Sequence, residues 1–358
     1  MIMLGHERRE RILEHLRLYG RVQAAEMAAE LHVSEITLRR DLNQLGRDKL
    51  LTRTHGGAVR TTSQLEATSR LKIGVIVPMR EYYYSEVLRG AASIAESLDA
   101  RLLIGVSGFG SGDGHPIRHI QEMGVDGLLL TTPLGDADDN RVGEWLSEVT
   151  VPTVLMERAF TFPRVSREFD YVRSDHAHGA VIALRHLREL GYESIAVGIH
   201  RTPTAYWLEA GVKNIAPALG LEVAHYSLPK EDDPHLYVEL GRMLDECLAK
   251  GIHAFFMHTD LHASQLVEIA LQRGLSVPGD IAIVAYDDVV ASLAAVPLTA
   301  VAPPKTSIGS TALELLVRRL RRPAQNDEPV CHISLLPTLH IRSSCGASSP
   351  ELANFISV

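Results

Sequence analysis

Residues 33–58 read VSEITLRRDLNQLGRDKLLTRTHGGA. Ser34 suits the cap of a helix, with Glu35 in the first turn, where the helix dipole favours an anion. Leu38, Leu42 and Leu45 recur at i, i+4 and i+7 and give one apolar stripe. Thr37, Arg40 and Gln44 fall roughly opposite, with Arg39 and Asn43 beside them. These side chains are short or planar donors that fit base edges and phosphates, and arginine can fork onto guanine. Only Asp41 interrupts the donors, whereas an ordinary solvated face mixes Lys and Glu. The spacing predicts a helix that enters DNA, followed by a short β-wing over residues 50–59 that turns at Gly56 and Gly57. Upstream, residues 8–18 and 24–31 read as two helices, the first with Ile12, Leu13 and Leu16 inward, and residues 32–34 as the tight turn into the reading helix.

Working outward, ERRERIL, AAEMAAELHVS, TLRRDL and RTHGGA occur in order. On these motifs residues 7–58 resemble the DNA-binding domain of DeoR-family regulators. The resemblance implies a winged helix-turn-helix. It implies that Ser34, Thr37, Arg39 and Arg40 meet the major groove, and that Arg53, Thr54 and His55 sit on the wing near the backbone or minor groove. Leu38 and Gly46 stand where the family more often has Ile and Glu.

The chain has 358 residues, length for two or three domains. It is 46% hydrophobic and 22% charged, which suits a globular, soluble protein. The opening MIMLGHERRE lacks the apolar region of a signal peptide. No run approaches the roughly 18 apolar residues needed to span a membrane. Cys247, Cys331 and Cys345 lack metal spacing and read as reduced thiols of a cytoplasmic protein. The net charge of −8 hides an asymmetry: residues 1–60 carry +3 and the remainder −11. An acidic body is repelled by DNA, so only the small head suits an approach to phosphates.

Residues 61–70, TTSQLEATSR, are polar and without period, and read as a linker. Beyond them apolar runs alternate with helical patterns. KIGVIVP, RLLIGVS, GLLLTTP and TVLMER read as strands of one series, and SIAVGI, EVAHYSL, AFFMHT and IAIVAY as strands of a second. Such alternation predicts an α/β fold of parallel sheets covered by helices on both faces, in two similar lobes. Ligands of open α/β sheets bind beyond the carboxyl ends of the strands, so the cleft between the lobes is the expected site.

IGVIVP, EVLRGAASIAE, GVDGLLL, VPTVLMER, DHAHGA, HLRELGYESIAV, GLSVPGDIAIVAYDD, PLTAVAPP and PTLHIRSSC carry a second resemblance. Residues 71–345 resemble the effector domain of LacI/GalR-family regulators, which share the periplasmic-binding-protein fold. The expected domains are residues 1–59 (winged helix), 60–70 (linker), 71–345 (two-lobed receptor) and 346–358 (tail). The resemblance implies crossings between lobes near residues 160–171, 289–303 and 321–330. Residues 59–70 lack the hinge pattern that joins head to body in LacI-type proteins.

Three tyrosines in a row, Tyr82–Tyr84, follow the first strand of the body in a chain only 5% aromatic. Aromatic faces stack on sugar rings or nucleobases, and the resemblance puts ligand contacts at Tyr83 and Tyr84. Glu157 and Arg158 end a strand, at positions where the family has an acid and Arg facing the cleft. They pair with each other or with a polar ligand. Tyr206 stands where the family frequently has a ligand-clamping arginine, and a tyrosine supplies no guanidinium fork. That weakens the case for an anionic ligand, though Arg201 lies on the same loop. Thr259 and Asp260 match a family Asn-Asp pair, and Asp260 either caps a helix or meets the ligand. Asp287 matches a family ligand contact, and its carboxylate can accept two sugar hydroxyls.

His258 and His262 lack a third ligand, so no metal is expected. GVSGFGSGDGH lacks the spacing of a phosphate loop or dinucleotide site. No cofactor and no catalytic constellation is readable. The expected protein is a one-component transcription factor and not an enzyme, binding double-stranded operator DNA and a small-molecule effector such as a sugar. It is expected as a cytoplasmic homodimer on a palindromic operator. Resemblance favours a repressor, and the tail lacks the heptads of a tetramer.

Overall fold

The computed structural model describes residues 5–48, 50–59, 70–107, 116–132, 143, 146–159, 168–322 and 328–347. Residues 60–69 of the expected linker, the glycine-rich loop at 108–115, residues 133–142 and the tail from 348 lie outside the described residues. The chain divides into two compact units, residues 1–71 and 72–358.

The head contains α1 (Gly5–Tyr19), β1 (Arg21–Gln23), α2 (Ala24–Glu30), α3 (Glu35–Arg47), β2 (Thr52–Thr54) and β3 (Gly57–Val59). Its core joins Ile12 and Leu16 of α1, Met27 and Ala28 of α2, and Leu38, Leu42 and Leu45 of α3. The leucine stripe of α3 is therefore the face that packs. The wing has a strand that the pattern does not announce. β1 pairs antiparallel with β3, giving the order β1–β3–β2. Gly57 permits this closeness, since a Cβ there would lie 2.0 Å from the carbonyl oxygen of Val22.

The second unit holds two six-stranded sheets. The first contains β4 (Leu71–Val77), β5 (Ala100–Val106), β6 (Gly127–Leu130), β7 (Thr153–Met156), β8 (Asp170–Ser174) and β14 (His332–Leu335), in the order β14–β8–β7–β6–β4–β5. The second contains β9 (Ser194–His200), β10 (Glu222–Leu228), β11 (Ala254–His258), β12 (Ala282–Tyr286), β13 (Thr299–Ala302) and β15 (Thr338–His340), in the order β10–β9–β11–β12–β13–β15. It is parallel except for β15, which runs antiparallel to β13. β11 and β12 are buried at all their residues, which explains their continuous apolar runs. Separate apolar clusters lie on the two faces of this sheet, Phe255 and Met257 in one, Phe256 and Tyr286 in the other.

In the first lobe α4 (Tyr83–Ala95) packs on α10 (Lys305–Arg321). The backbones meet at glycines. A Cβ on Gly90 would lie 1.9 Å from the Thr306 carbonyl oxygen, and one on Gly309 1.9 Å from that of Val87.

Two crossings between lobes fall elsewhere than expected. Residues 170–174 are β8, still in the first sheet, so the first crossing is at Asp175, just beyond 160–171. The second lies between β13 and α10, at the end of the expected 289–303. β14 follows 321–330 and pairs parallel with β8, so the third crossing is at Leu336 and Pro337. In both corrected cases a short strand pairs with a partner remote in sequence before the chain leaves.

Candidate functional site

In the head, Ser34 accepts the Thr37 amide at 3.2 Å and caps α3. Arg39, Arg40 and Asn43 are exposed on the face opposite the leucines. Arg39 is held by Glu35 at 3.1 Å. Arg40 has no hydrogen bond or ion pair among the described residues. Asp41 does not interrupt the outward donors. It is buried, 6% exposed, and Arg8 of α1 binds it at 2.5 Å. That pair neutralises the one carboxylate the sequence placed among donors. Ile36, in the first turn of α3, is 68% exposed, an apolar group outside the leucine stripe. On the wing Thr54 and His55 are exposed at the tip. The Arg53 guanidinium instead folds back onto the carbonyl of Gly57.

In the body, the loops after β4, β7 and β8 in one sheet meet those after β11 and β12 in the other. The two sheets therefore face each other by their carboxyl ends. Tyr82, the tyrosine to which the sequence assigned no role, makes the link. Its hydroxyl donates to Oδ1 of Asp260 and lies 3.5 Å from Oδ2 of Asp287. Asp260 is fully buried and does not cap its own helix, α9 (Asp260–Gln272). Thr259 does that, together with His262. Oδ2 of Asp260 accepts the amides of Val289, Val290 and Ala291 at 2.6, 2.7 and 3.0 Å, fixing the turn after β12.

Glu157 is occupied on both oxygens. Oε1 accepts the hydroxyls of Tyr83 at 2.7 Å and Ser174 at 2.8 Å. Oε2 accepts the Ser174 amide at 2.9 Å and lies 3.2 Å from His176 Nε2. Burial alone would raise this carboxyl, but His176 and the other donors hold it down at about 2. His176 is held in turn by the Tyr286 hydroxyl, 2.7 Å from Nδ1. Arg158 points away from Glu157's carboxylate: it donates to the carbonyls of Thr132 and Glu157 and to the hydroxyl of Tyr84. Tyr84 and Arg158 thus bind each other, both buried. Tyr206 is 58% exposed and stands edge-on to Trp207. Arg201 is exposed.

Asp287 differs from Glu157. Its carboxylate is buried, with the Tyr82 hydroxyl as a distant partner. Burial, then Asp260, push its pKa up to about 8, against the opposing pull of Lys305. Lys305, 3% exposed, donates to the carbonyl of Asp287 and sits 5.5 Å from the Tyr83 ring. Asp288 is tied to His340 at 2.6 Å and Arg342 at 2.7 Å. Tyr82, Glu157, Asp287 and Asp288 have φ of 52°, 54°, 91° and 50°, a left-handed backbone that costs each of these residues energy. All four lie past the carboxyl ends of strands, where the two sheets face each other. No side-chain pattern in the sequence announces this backbone.

Among the described residues no cluster of His, Cys, Asp and Glu is placed to hold a metal ion, and no helix is long and apolar enough to cross a membrane. A separate hollow of about 500 Å³ lies at the amino ends of β7 and β8, lined in part by Thr153, Asp170 and Arg319.

Residues 8–64 match the family model of the DeoR-like helix-turn-helix domain, and residues 184–345 that of the periplasmic binding protein-like domain. The chain carries both, and this is the architecture of a ligand-responsive, DNA-binding transcriptional regulator. It is 25% identical over 335 residues to the arabinose metabolism transcriptional repressor of Geobacillus stearothermophilus, covering 89% of each chain. It is 26% identical over 270 residues to the ribose operon repressor of Escherichia coli strain K12, covering 73% of this chain and 78% of that one. Among solved structures, a CelR transcriptional regulator–cellobiose complex shares the fold, with a TM-score of 0.65 and 23% identity over 87% of this chain and 90% of that one. The lac repressor dimer bound to operator does likewise, with a TM-score of 0.65 and 20% identity over 80% and 97%.

Proposed function

We propose that this chain is a cytoplasmic repressor that binds a palindromic operator as a homodimer and answers to a small polyhydroxylated metabolite. Arg39, Arg40, Asn43 and Thr37 read the major groove, joined by Ile36 against a thymine methyl. His55 and Thr54 of the wing meet the backbone, and Arg53 shapes the wing. The metabolite enters between the lobes, where Asp287 and Tyr82 take its hydroxyls. Its binding biases the lobes toward one arrangement and so alters how two heads fit two half-sites. A hundredfold preference for one arrangement supplies about 2.7 kcal/mol of bias. Glu157, Tyr83, Tyr84, Arg158, Thr259 and Asp260 position the walls, and Tyr206 lies at the rim.

The observation that carries the reading is Asp287, a buried carboxyl between the lobes with hydrogen-bonding capacity left over. The names of the relatives point to sugars as the ligand class, and no turnover of the ligand is expected. The test is in two parts. Selection of genomic fragments on the full chain yields an operator, and a thermal-shift screen of pentoses, hexoses and nucleosides yields the ligand. A hit that changes operator affinity supports the reading. Operator binding that no stabilising compound alters refutes the ligand response.

A further inference from the structure

Arg173 is the penultimate residue of β8, one residue before Ser174, whose hydroxyl and amide bind Glu157. Its guanidinium lies 4.0 Å from the ring centroid of Trp207, which follows β9 in the first turn of α7 (Ala205–Leu219). The side chain thus reaches from one lobe to the other at the carboxyl ends of both sheets. Its Nε donates to the Ser334 hydroxyl at 3.4 Å. No carboxylate lies within ion-pair distance of it among the described residues, and its Nη1 is buried with no acceptor. A guanidinium donor out of water and without an acceptor is costly, and an aromatic face offsets only part of that cost. Three other arginines of the body are supplied: Arg319 has Asp170 at 2.8 Å, Arg342 has Asp288 at 2.7 Å, and Arg158 has three oxygen acceptors.

We infer that the ligand of the interlobe site carries an anionic group, a carboxylate or a phosphate monoester, and that Arg173 reads it. This rests on the cleft being the metabolite site. Trp207 belongs to the opposite lobe, so parting of the lobes uncovers Nη1 and closure seals it against the anion. The arginine that position 206 lacks is thereby supplied from the other side of the cleft. The hydroxyls of the same ligand go to Asp287, and its acid goes to Arg173. Arg173 is a specificity residue: it selects acids and phosphates over their neutral parents.

The test uses the full chain and matched probes: ribose, ribonate and ribose 5-phosphate; glucose, gluconate and glucose 6-phosphate; adenosine and adenosine monophosphate. Calorimetry is expected to show one anionic member binding at least about tenfold tighter than its neutral parent, the worth of a charge-assisted hydrogen bond. The carboxylate and phosphate arms tell the two sources apart. Arg173→Gln should erase the preference and leave the neutral parent within about twofold. The wild-type preference is read without any variant, so it stands even if Arg173→Gln folds poorly. Equal binding of acid and neutral parent overturns the inference, as does an Arg173→Gln variant that weakens both alike, which would make the contact a latch between lobes. A neutral sugar that binds, and is lost in Asp287→Ala but not in Arg173→Gln, sinks the anion and spares the cleft. Binding by none of the probes sinks both.

Discussion

The hydroxyl of Tyr83 lies 2.7 Å from Oε1 of Glu157, joining the first turn of α4 to the end of β7. That bond is one of three donated to this carboxylate, and His176 Nε2 stands 3.2 Å from its other oxygen. A carboxylate bound in this way holds α4, β7 and β8 in register. The groups still open to an incoming molecule are those the rest of the wall leaves underused, Asp287 and Arg173.

Arg40→Ala should weaken specific operator binding by about 1–3 kcal/mol. Arg40 holds no partner among the described residues, so the urea midpoint should stay put. Ile36→Ser should relax preference at one base position and leave the salt dependence alone. Fluorescence anisotropy on the selected operator measures both; an Arg40→Ala protein that binds normally refutes the assignment of α3.

Asp260→Ala removes the acceptor for three consecutive amides and for Tyr82. Each buried donor left unpaired costs about 1–3 kcal/mol. A loss of about 3 kcal/mol or more is expected in urea unfolding of the ligand-free chain. A loss below about 1 kcal/mol would mean that the 289–291 turn is held by something else.

The raised pKa of Asp287 has a signed consequence. Between the ordinary value of 3.8 and about 8 the folded chain keeps a proton that the unfolded chain has lost. The contribution of this group is full below 3.8 and is lost as pH rises through about 8. Asp287→Asn should therefore melt higher than wild type at pH 8, with the gap closing toward pH 4. Glu157 acts in reverse, adding stability above its ordinary 4.5 that is lost as pH falls through about 2. Melting curves from pH 4 to 9 decide; parallel profiles for wild type and Asp287→Asn would count against a buried, protonated Asp287.

Gly309→Ala forces a methyl against the Val87 carbonyl at 1.9 Å, backbone on backbone. Separation of α4 from α10 should cost about 1–3 kcal/mol. Urea unfolding of the whole chain reads it, and an unchanged midpoint would show that the helices can part freely.

Periodicity made the head and the central strands legible. The leucine stripe of α3 and the all-buried runs of β11 and β12 are local facts, written in consecutive residues. What was not legible depended on partners far away in the chain. Asp41 reads as outward because nothing near it in sequence says that Arg8 will turn it in. β14 and β15 are three or four residues long and half exposed, so they lack an apolar signature and exist through pairing alone. Among three adjacent tyrosines, only the left-handed backbone at Tyr82 decides which hydroxyl crosses to Asp260. Arg173 is one arginine among many until Trp207 is seen above it.

β14 lies in one sheet and β15 in the other, with only Leu336 and Pro337 between them. Neither lobe is encoded by one unbroken stretch of gene, so recombination that severs the receptor anywhere inside it leaves two halves each missing a strand. The head is joined to the rest at a single covalent passage and can be exchanged in one event. Inheritance of the receptor whole, with reading heads traded at its border, is what such wiring permits, and a DeoR-like head ahead of a periplasmic-binding-protein-like body is the kind of lineage it would leave.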